Sequence, residues 1–296
     1  MQHTQKIAVI INSAAGSVQG QDLCQTVVRA FERQGTQAQA VMASGDTQRQ
    51  VARAFRDEGF SVIVAGGGDG TISAVAAELV GQEAALGVLP LGTLNHFAGD
   101  LGIPTNLEDA VTLLCTGKPK AVDVGIVNGL IFLNNASLGL YPDQVRIRQR
   151  WQAKIGKWPA LILASLLMLF RFPYLLITAE FNGTRIRRRC PMLVISNNEY
   201  VLAPGNLTQR EQLDGGTLGL YLLQDVGRAG VLRLLLHSML YKLEEAASVE
   251  SHRATEIIIT PRRKQIKLAL DGEIHRLASP LHYRVMPGSL RVIAPS

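Results

Sequence analysis

Three polar, glycine-bearing stretches in the N-terminal third of the chain each follow an apolar run, and each has the composition to grip a phosphate. The strongest is Gly66-Gly67-Gly68-Asp69-Gly70-Thr71, set between the apolar run Ser61–Ala65 and the apolar helical stretch Ile72–Val80. Consecutive glycines let the backbone approach polyanionic oxygens and accept φ > 0, while amide N–H groups at a helix start face the anion. Bare phosphate would repel Asp69. That residue makes sense with a magnesium ion between carboxylate and phosphates, or as an acceptor that orders the loop's own amides. The stretch matches neither the Gly-x-x-x-x-Gly-Lys-Ser/Thr loop nor the Gly-x-Gly-x-x-Gly fingerprint, which disfavours P-loop and Rossmann enzymes. A structural turn without a ligand is the competing reading.

The second stretch, Pro90-Leu91-Gly92-Thr93-Leu94-Asn95-His96, adds a hydroxyl at Thr93 and an amide at Asn95, both able to bind phosphate or ribose. Asn12-Ser13-Ala14-Ala15-Gly16 is the third. Three such loops at the carboxyl ends of three strands are what a shared nucleotide cleft requires.

The elements that must position these loops show in the periodicity. Lys6–Ile11, Ser61–Ala65 and Leu86–Leu89 read as buried strands, and Asp22–Gln34 and Thr47–Asp57 carry apolar residues at helical spacing. This rhythm predicts an α/β domain with a mainly parallel sheet over residues 1–126. From 127 to 283 the pattern changes to short β-prone runs: Leu130–Asn134, Leu175–Phe181, Met192–Asn197, Thr217–Leu223, Glu256–Thr260 and Gln265–Leu270. Asn182-Gly183 and Asp271-Gly272 are tight-turn dipeptides between such runs. A β-rich second domain follows. Trp158–Phe170 is apolar except for Ser165, too short to span a bilayer, and suited either to burial or to a lipid surface.

Composition narrows the class. The chain has 296 residues, 47% of them hydrophobic and 18% charged, which predicts a substantial core and two domains. Cys24, Cys115 and Cys190 lie too far apart for a zinc or redox motif and read as buried reduced thiols of a cytoplasmic protein. The apolar run after Lys6 is too short for a signal peptide, so the Asn-x-Ser/Thr triplets at Asn135, Asn182 and Asn206 are chance matches. A formal charge of +6, with clusters at Arg146–Arg150 and Arg185–Arg189, suits an anionic partner. Aromatics at 5% and the lack of a recognisable module argue against nucleic acid, leaving the anionic membrane surface or simply solvated faces of ordinary elements.

Taken in order, the residues resemble a known family. The Gly-Gly-Gly-Asp-Gly-Thr loop, Pro90–Pro104 with its Leu-Gly-Ile-Pro end, and Val122-Asp123-Val124-Gly125 are similar to the bacterial diacylglycerol-kinase family of lipid kinases. So are Asn134–Gly139, Leu213-Asp214-Gly215-Gly216, Asp271-Gly272-Glu273 and Met286–Leu290. The resemblance implies an NAD-kinase-like α/β domain, a C-terminal β-sandwich, and a final segment, 284–296, that returns to the first domain. It implies ATP and magnesium as cofactors and a diacylglycerol-like lipid at the inner membrane surface as substrate. A homodimer is compatible with it.

Carried over by position, Gly66, Gly67, Gly68, Asp69, Gly70, Thr71, Ile72 and Ser73 resemble ATP contacts, with Thr93 and Asn95. Asn12, Ser13, Ala14, Ala15 and Gly16 resemble the first phosphate-side loop, and Ser44 is the nearest hydroxyl to a family threonine. Asp271 and Glu273 resemble the catalytic carboxylates, which in phosphoryl transfer to an alcohol take the hydroxyl proton. Asp69 and Asp123 match a magnesium network, and Gln212, Asp214 and Thr217 a structural magnesium site. Three positions depart from the pattern: His96 stands where aspartate is common, Gly215 where a second aspartate is usual, and Ser13 where proline is usual. An NAD kinase and a non-catalytic lipid- or nucleotide-binding homologue are the alternative readings. A hydrolase is disfavoured, because the chain has no Gly-x-Ser-x-Gly and no His-Glu-x-x-His.

Overall fold

The computed structural model describes residues 6–13, 20–139, 174–201, 209–210, 212–223 and 249–295. The chain divides into two compact units: Met1–Val124 with Gln212–Gly215 and Met286–Ser296, and Gly125–Glu211 with Gly216–Val285.

Unit 1 alternates strand and helix. Its elements are β1 (Ile7–Asn12), α1 (Gly20–Arg33), β2 (Ala38–Ala43), α2 (Asp46–Asp57), β3 (Val62–Gly67), α3 (Asp69–Ala77), β4 (Ala85–Pro90), α4 (His96–Asp100) and α5 (Leu107–Thr116). The strands pair in parallel in the order β2-β1-β3-β4. Every residue of β3 and β4 is buried, as continuous apolar runs in a covered parallel sheet should be. In α2 the buried residues Gln48, Ala52 and Phe55 fall one helical turn apart and form its inner stripe. Helix α5 starts at Asn106, whose side chain accepts from the backbone N–H of Glu108 (2.9 Å) and Asp109 (3.3 Å). It buries Ala110, Val111 and Leu114. Strand β5 (Lys118–Val127) leads out of this unit, and the last strand, β16 (Leu281–Ala294), ends in it, with Val292 opposite Leu86 of β4.

Unit 2 is built of antiparallel strands: β6 (Leu130–Phe132), β7 (Asn135–Gly139), β8 (Leu175–Phe181), β9 (Thr184–Cys190), β10 (Met192–Asn197), β11 (Leu218–Leu223), β12 (Val249–Ala254), β13 (Glu256–Pro261), β14 (Gln265–Leu270) and β15 (Glu273–Ala278). One sheet runs β12-β11-β10-β7-β14-β15, and the start of β16 pairs with β13, which pairs with β8 and then β9. Inward residues of the two layers form one core, with Leu138, Ile195, Leu220 and Leu268 from one and Ile177, Ala179, Ile257 and Ile259 from the other. The expected sandwich and the expected α/β domain are both present. Asn182 (φ 48°) and Gly183 (φ 72°) make the β8–β9 turn, and Asp271 (φ 46°) and Gly272 (φ 87°) the β14–β15 turn. Positive φ at both central residues is the hairpin geometry that matches strand twist.

Only Cys190 of the three cysteines is fully buried; Cys24 on α1 and Cys115 on α5 are half-buried and pack against the edge of the unit 1 core. Burial, helped by nearby Glu250, pushes the Cys190 thiol up to about 12 and keeps it protonated. Trp158–Phe170 and Arg146–Arg150 lie outside the described residues. No helix among the described residues is long and apolar enough to cross a membrane.

Tyr283 on β16 is fully buried at the centre of the unit 2 core, edge-on to Phe132 at 6.3 Å. Its hydroxyl has no hydrogen-bond partner among the described residues, and burial drives its ionisation far above the ordinary tyrosine range. Tyr283→Phe is therefore expected to leave stability unchanged or raise it by up to about 1 kcal/mol in chemical denaturation. Tyr283→Ala, which opens a cavity, should cost about 3–5 kcal/mol in the same measurement.

Candidate functional site

Strand register gathers the first set of candidates. Asn12 lies opposite Ala43, Ile11 opposite Gly66, and Gly67 opposite Pro90. The residues after these strands, Ser13, Ser44, Gly68 and Leu91–Asn95, consequently share the carboxyl edge of the parallel sheet, where open α/β sheets bind ligands. The Ser13 N–H donates to Ala43 O at 3.2 Å and ties the first two loop ends together. Ser44 is exposed. Ala14, Ala15 and Gly16 lie outside the described residues.

Helix α3 begins at this edge. Its N-cap Gly68 is extended (φ −89°, ψ −175°) and no side chain caps it, so the first amides have no intrahelical acceptor and suit an anion. A Cβ at Gly67 would meet Thr71 Cβ at 2.7 Å, and one at Gly92 would meet the Gly68 backbone N at 2.9 Å. The two glycine loops thus touch backbone to backbone. Asn95, left-handed at φ 51°, braces its own loop: its Oδ1 accepts from Gly92 N (3.1 Å), and its Nδ2 donates to Pro90 O (3.2 Å) and Gly92 O (2.9 Å).

Several residues expected at the ligand also make contacts within the protein. The Thr71 hydroxyl is buried and accepts from Asn12 Nδ2 at 3.1 Å. Ile72 is buried in the core, and Gly70 and Ser73 are half-buried in the first turns of α3. Thr93, by contrast, is exposed, and its hydroxyl has no hydrogen-bond partner among the described residues. The Asp69 carboxylate accepts from the N–H of His96 (3.2 Å) and of Phe97 (3.1 Å), so it orders the start of α4 from a different loop. His96 itself is exposed.

The metal candidates are engaged in the same way. Asp123 is buried, and its Oδ1 accepts from Gly288 N at 2.8 Å. Asp214 is half-exposed, 3.9 Å from Lys120 Nζ, and Gln212 is exposed. The Thr217 carbonyl accepts from Asn198 N at 2.9 Å. Among the described residues no three His, Cys, Asp or Glu side chains gather as a metal centre. The glycine cradle, the uncapped helix start and Thr93 fit the phosphates of a nucleotide. Asp69 and Asp123 accept from backbone amides, and among the described residues they stand in no group of three candidate metal ligands.

The second set of candidates sits on unit 2. Asp271 occupies the first position of the β14–β15 turn, and its carboxylate reaches the chain entering β7. Oδ2 accepts from Leu133 N at 2.8 Å, and Oδ1 from Asn134 N (2.8 Å) and Asn135 N (3.1 Å). Glu273, across the turn from Leu270, is exposed and has no hydrogen-bond or ion-pair partner among the described residues. The other side of residues 133–134 is held by Arg210, only 4% exposed, which donates to Leu133 O (2.6 Å), Asn197 O (3.0 Å) and Asn134 Oδ1 (2.8 Å). Sequence reasoning did not single out Arg210. It stands alone in a polar stretch, and nothing in its neighbours distinguishes it from a solvated arginine.

Comparison with known proteins agrees with this layout. The family model described as diacylglycerol kinase catalytic domain matches residues 6–127, and that described as YegS C-terminal NAD kinase beta sandwich-like domain matches residues 143–294. The chain is 31% identical over 260 residues to "Probable lipid kinase YegS-like" of Citrobacter koseri, covering 85% of this chain and 83% of that protein. It is 26% identical over 253 residues to "Diacylglycerol kinase" of Bacillus subtilis, covering 83% and 82%. A crystal structure of a diacylglycerol kinase from Bacillus anthracis shares the fold, with a TM-score of 0.71 at 19% identity over 100% of this chain and 98% of that one.

The two carboxylates of the turn should separate in a melting experiment. Asp271→Ala leaves three amides without their acceptor and should cost about 2–4 kcal/mol. Glu273→Gln should stay within about 0.5 kcal/mol of the parent. Equal losses would show that Asp271 is not the brace of this region.

Proposed function

This chain belongs to the family of YegS and the bacterial diacylglycerol kinases, and on that premise we propose that it transfers the γ-phosphoryl group of ATP to the hydroxyl of a diacylglycerol-like lipid. The observation that carries the reading is the asymmetry of the Asp271-Gly272-Glu273 turn. One carboxylate is fixed by three backbone amides, and the next stands exposed and unpartnered among the described residues. In this assignment Glu273 accepts the lipid hydroxyl proton as the oxygen attacks the γ-phosphorus, the bond from phosphorus to the bridging oxygen breaks, and ADP leaves. Asp271 is a positioning residue that sets where Glu273 stands. The uncapped start of α3, with Gly67, Gly68 and the free hydroxyl of Thr93, receives the phosphates. Magnesium enters the reading as the counter-ion that ATP carries, and no step is assigned to it.

A lipid acceptor places the reaction at the inner membrane surface, with the protein attached peripherally. The positive charge of the chain supports this, since anionic lipid attracts basic surfaces. The test is transfer from γ-labelled ATP to a panel of hydroxylated lipids in mixed micelles. A labelled lipid is expected, with kcat reduced about 10²–10⁴-fold in Glu273→Gln and the KM for ATP unchanged. Label appearing in NAD and in no lipid would overturn the reading.

A further inference from the structure

Unit 2 carries a basic cleft that the reaction does not use. An open cavity of about 790 Å³ is bordered by Arg262 and Arg263, from the turn between β13 and β14, and by Lys267 and Arg276, from β14 and β15. A second cavity of about 780 Å³ shares Leu176, Pro261 and Arg262 with the first and adds Arg185 and Arg187 of β9. Among the described residues no acidic side chain lines either one. Arg185 is paired with Glu180. Arg187, Arg262, Arg263, Lys267 and Arg276 have no ion-pair partner among the described residues.

The clustering is built into the fold. Lys267 and Arg276 are direct cross-strand neighbours, an arrangement in which like charges repel and destabilise the pair. The arginine turn is fixed by its backbone, with Arg262 N donating to Leu176 O at 3.2 Å and Lys264 O accepting from Ser279 N at 2.9 Å. Apolar atoms of Leu175, Leu176 and Ile266 lie among the cations. A concave site in which cations cluster without an ion-pair partner among the described residues, bordered also by Leu175, Leu176 and Ile266, suits a phosphate that carries an aliphatic body.

We propose that this cleft is a docking site for the phosphate headgroup of an anionic membrane phospholipid, separate from the phosphoryl-transfer residues. The proposal deepens the reading of the chain as a peripheral membrane enzyme and rests on it for the choice of a membrane as partner.

The test is co-sedimentation of the full chain, without ATP, with phosphatidylcholine vesicles containing about 30 mol% phosphatidylglycerol. Binding is expected to fall about tenfold or more in Lys267→Gln/Arg276→Gln and again in Arg262→Gln/Arg263→Gln. A control with the same charge loss, Lys6→Gln/Lys118→Gln in unit 1, should stay within about twofold. Because the first double variant removes a like-charge pair, its melting temperature should rise, which separates lost binding from lost folding. Equal losses in cleft and control variants, or unchanged binding in both cleft variants, would overturn the site. Vesicle binding abolished by about 10 mM inorganic phosphate at constant ionic strength would overturn the membrane assignment in favour of a soluble phosphate ligand. Because the co-sedimentation contains no ATP, it is independent of the labelled-ATP assay: no labelled lipid in that assay alongside the expected vesicle binding in this one would sink the kinase reading and leave this site standing.

Discussion

Backbone amides left over where strands and helices end must find acceptors, and in this chain three aspartates supply them. Asp69 caps α4, Asp123 holds Gly288, and Asp271 holds the three residues entering β7. Each bond joins segments far apart in sequence, so each fixes a loop that no local secondary structure could fix. The glycine loops touch because Asp69 reaches from one to the far end of the other. The Asp271 turn holds its place because its carboxylate and the Arg210 guanidinium grip opposite sides of residues 133–134.

This arrangement separates positioning from chemistry. A carboxylate that accepts from several amides has its oxygens committed to the backbone. An exposed carboxylate two residues away keeps its oxygens open. The Asp-Gly-Glu order therefore has a physical logic: a rigid acceptor, a residue that tolerates φ 87°, and an exposed carboxylate held at short range by a two-residue turn.

The sequence made the strong periodicities legible. Strands β1, β3 and β4 are continuous apolar runs, and the turns at Asn182-Gly183 and Asp271-Gly272 announce themselves by composition. Strand β2 was missed because Ala38–Ala43 is a half-buried edge strand with one β-branched residue, so neither alternation nor an apolar run marks it. Strand β7 was missed because Asn135-Ala136-Ser137-Leu138-Gly139 looks like a polar motif, although its ladder to β10 and β14 makes it a central strand. The candidate residues could be read as types but not as partners. A sequence shows that an aspartate is present; it does not show which backbone amides will face it. That is why the amides that Asp69 accepts from, those of His96 and Phe97, could be found only from the fold.

Charge shows the same limit. Arg185–Arg189 reads as one basic run, yet a strand points successive side chains to opposite faces. Arg188 pairs with Glu250 at 2.9 Å, which holds that carboxyl below its usual range, and Arg189 lies 4.1 Å over the Tyr174 ring. Only Arg187, with the paired Arg185, turns to the cleft, where it joins cations some 75 to 90 residues further along the chain. The run in the sequence is thus not the patch in the structure. The patch is made by strand pairing, and its sign follows from what the pairing leaves out: an acid opposite Lys267 would have cancelled it, and the register puts Arg276 there instead.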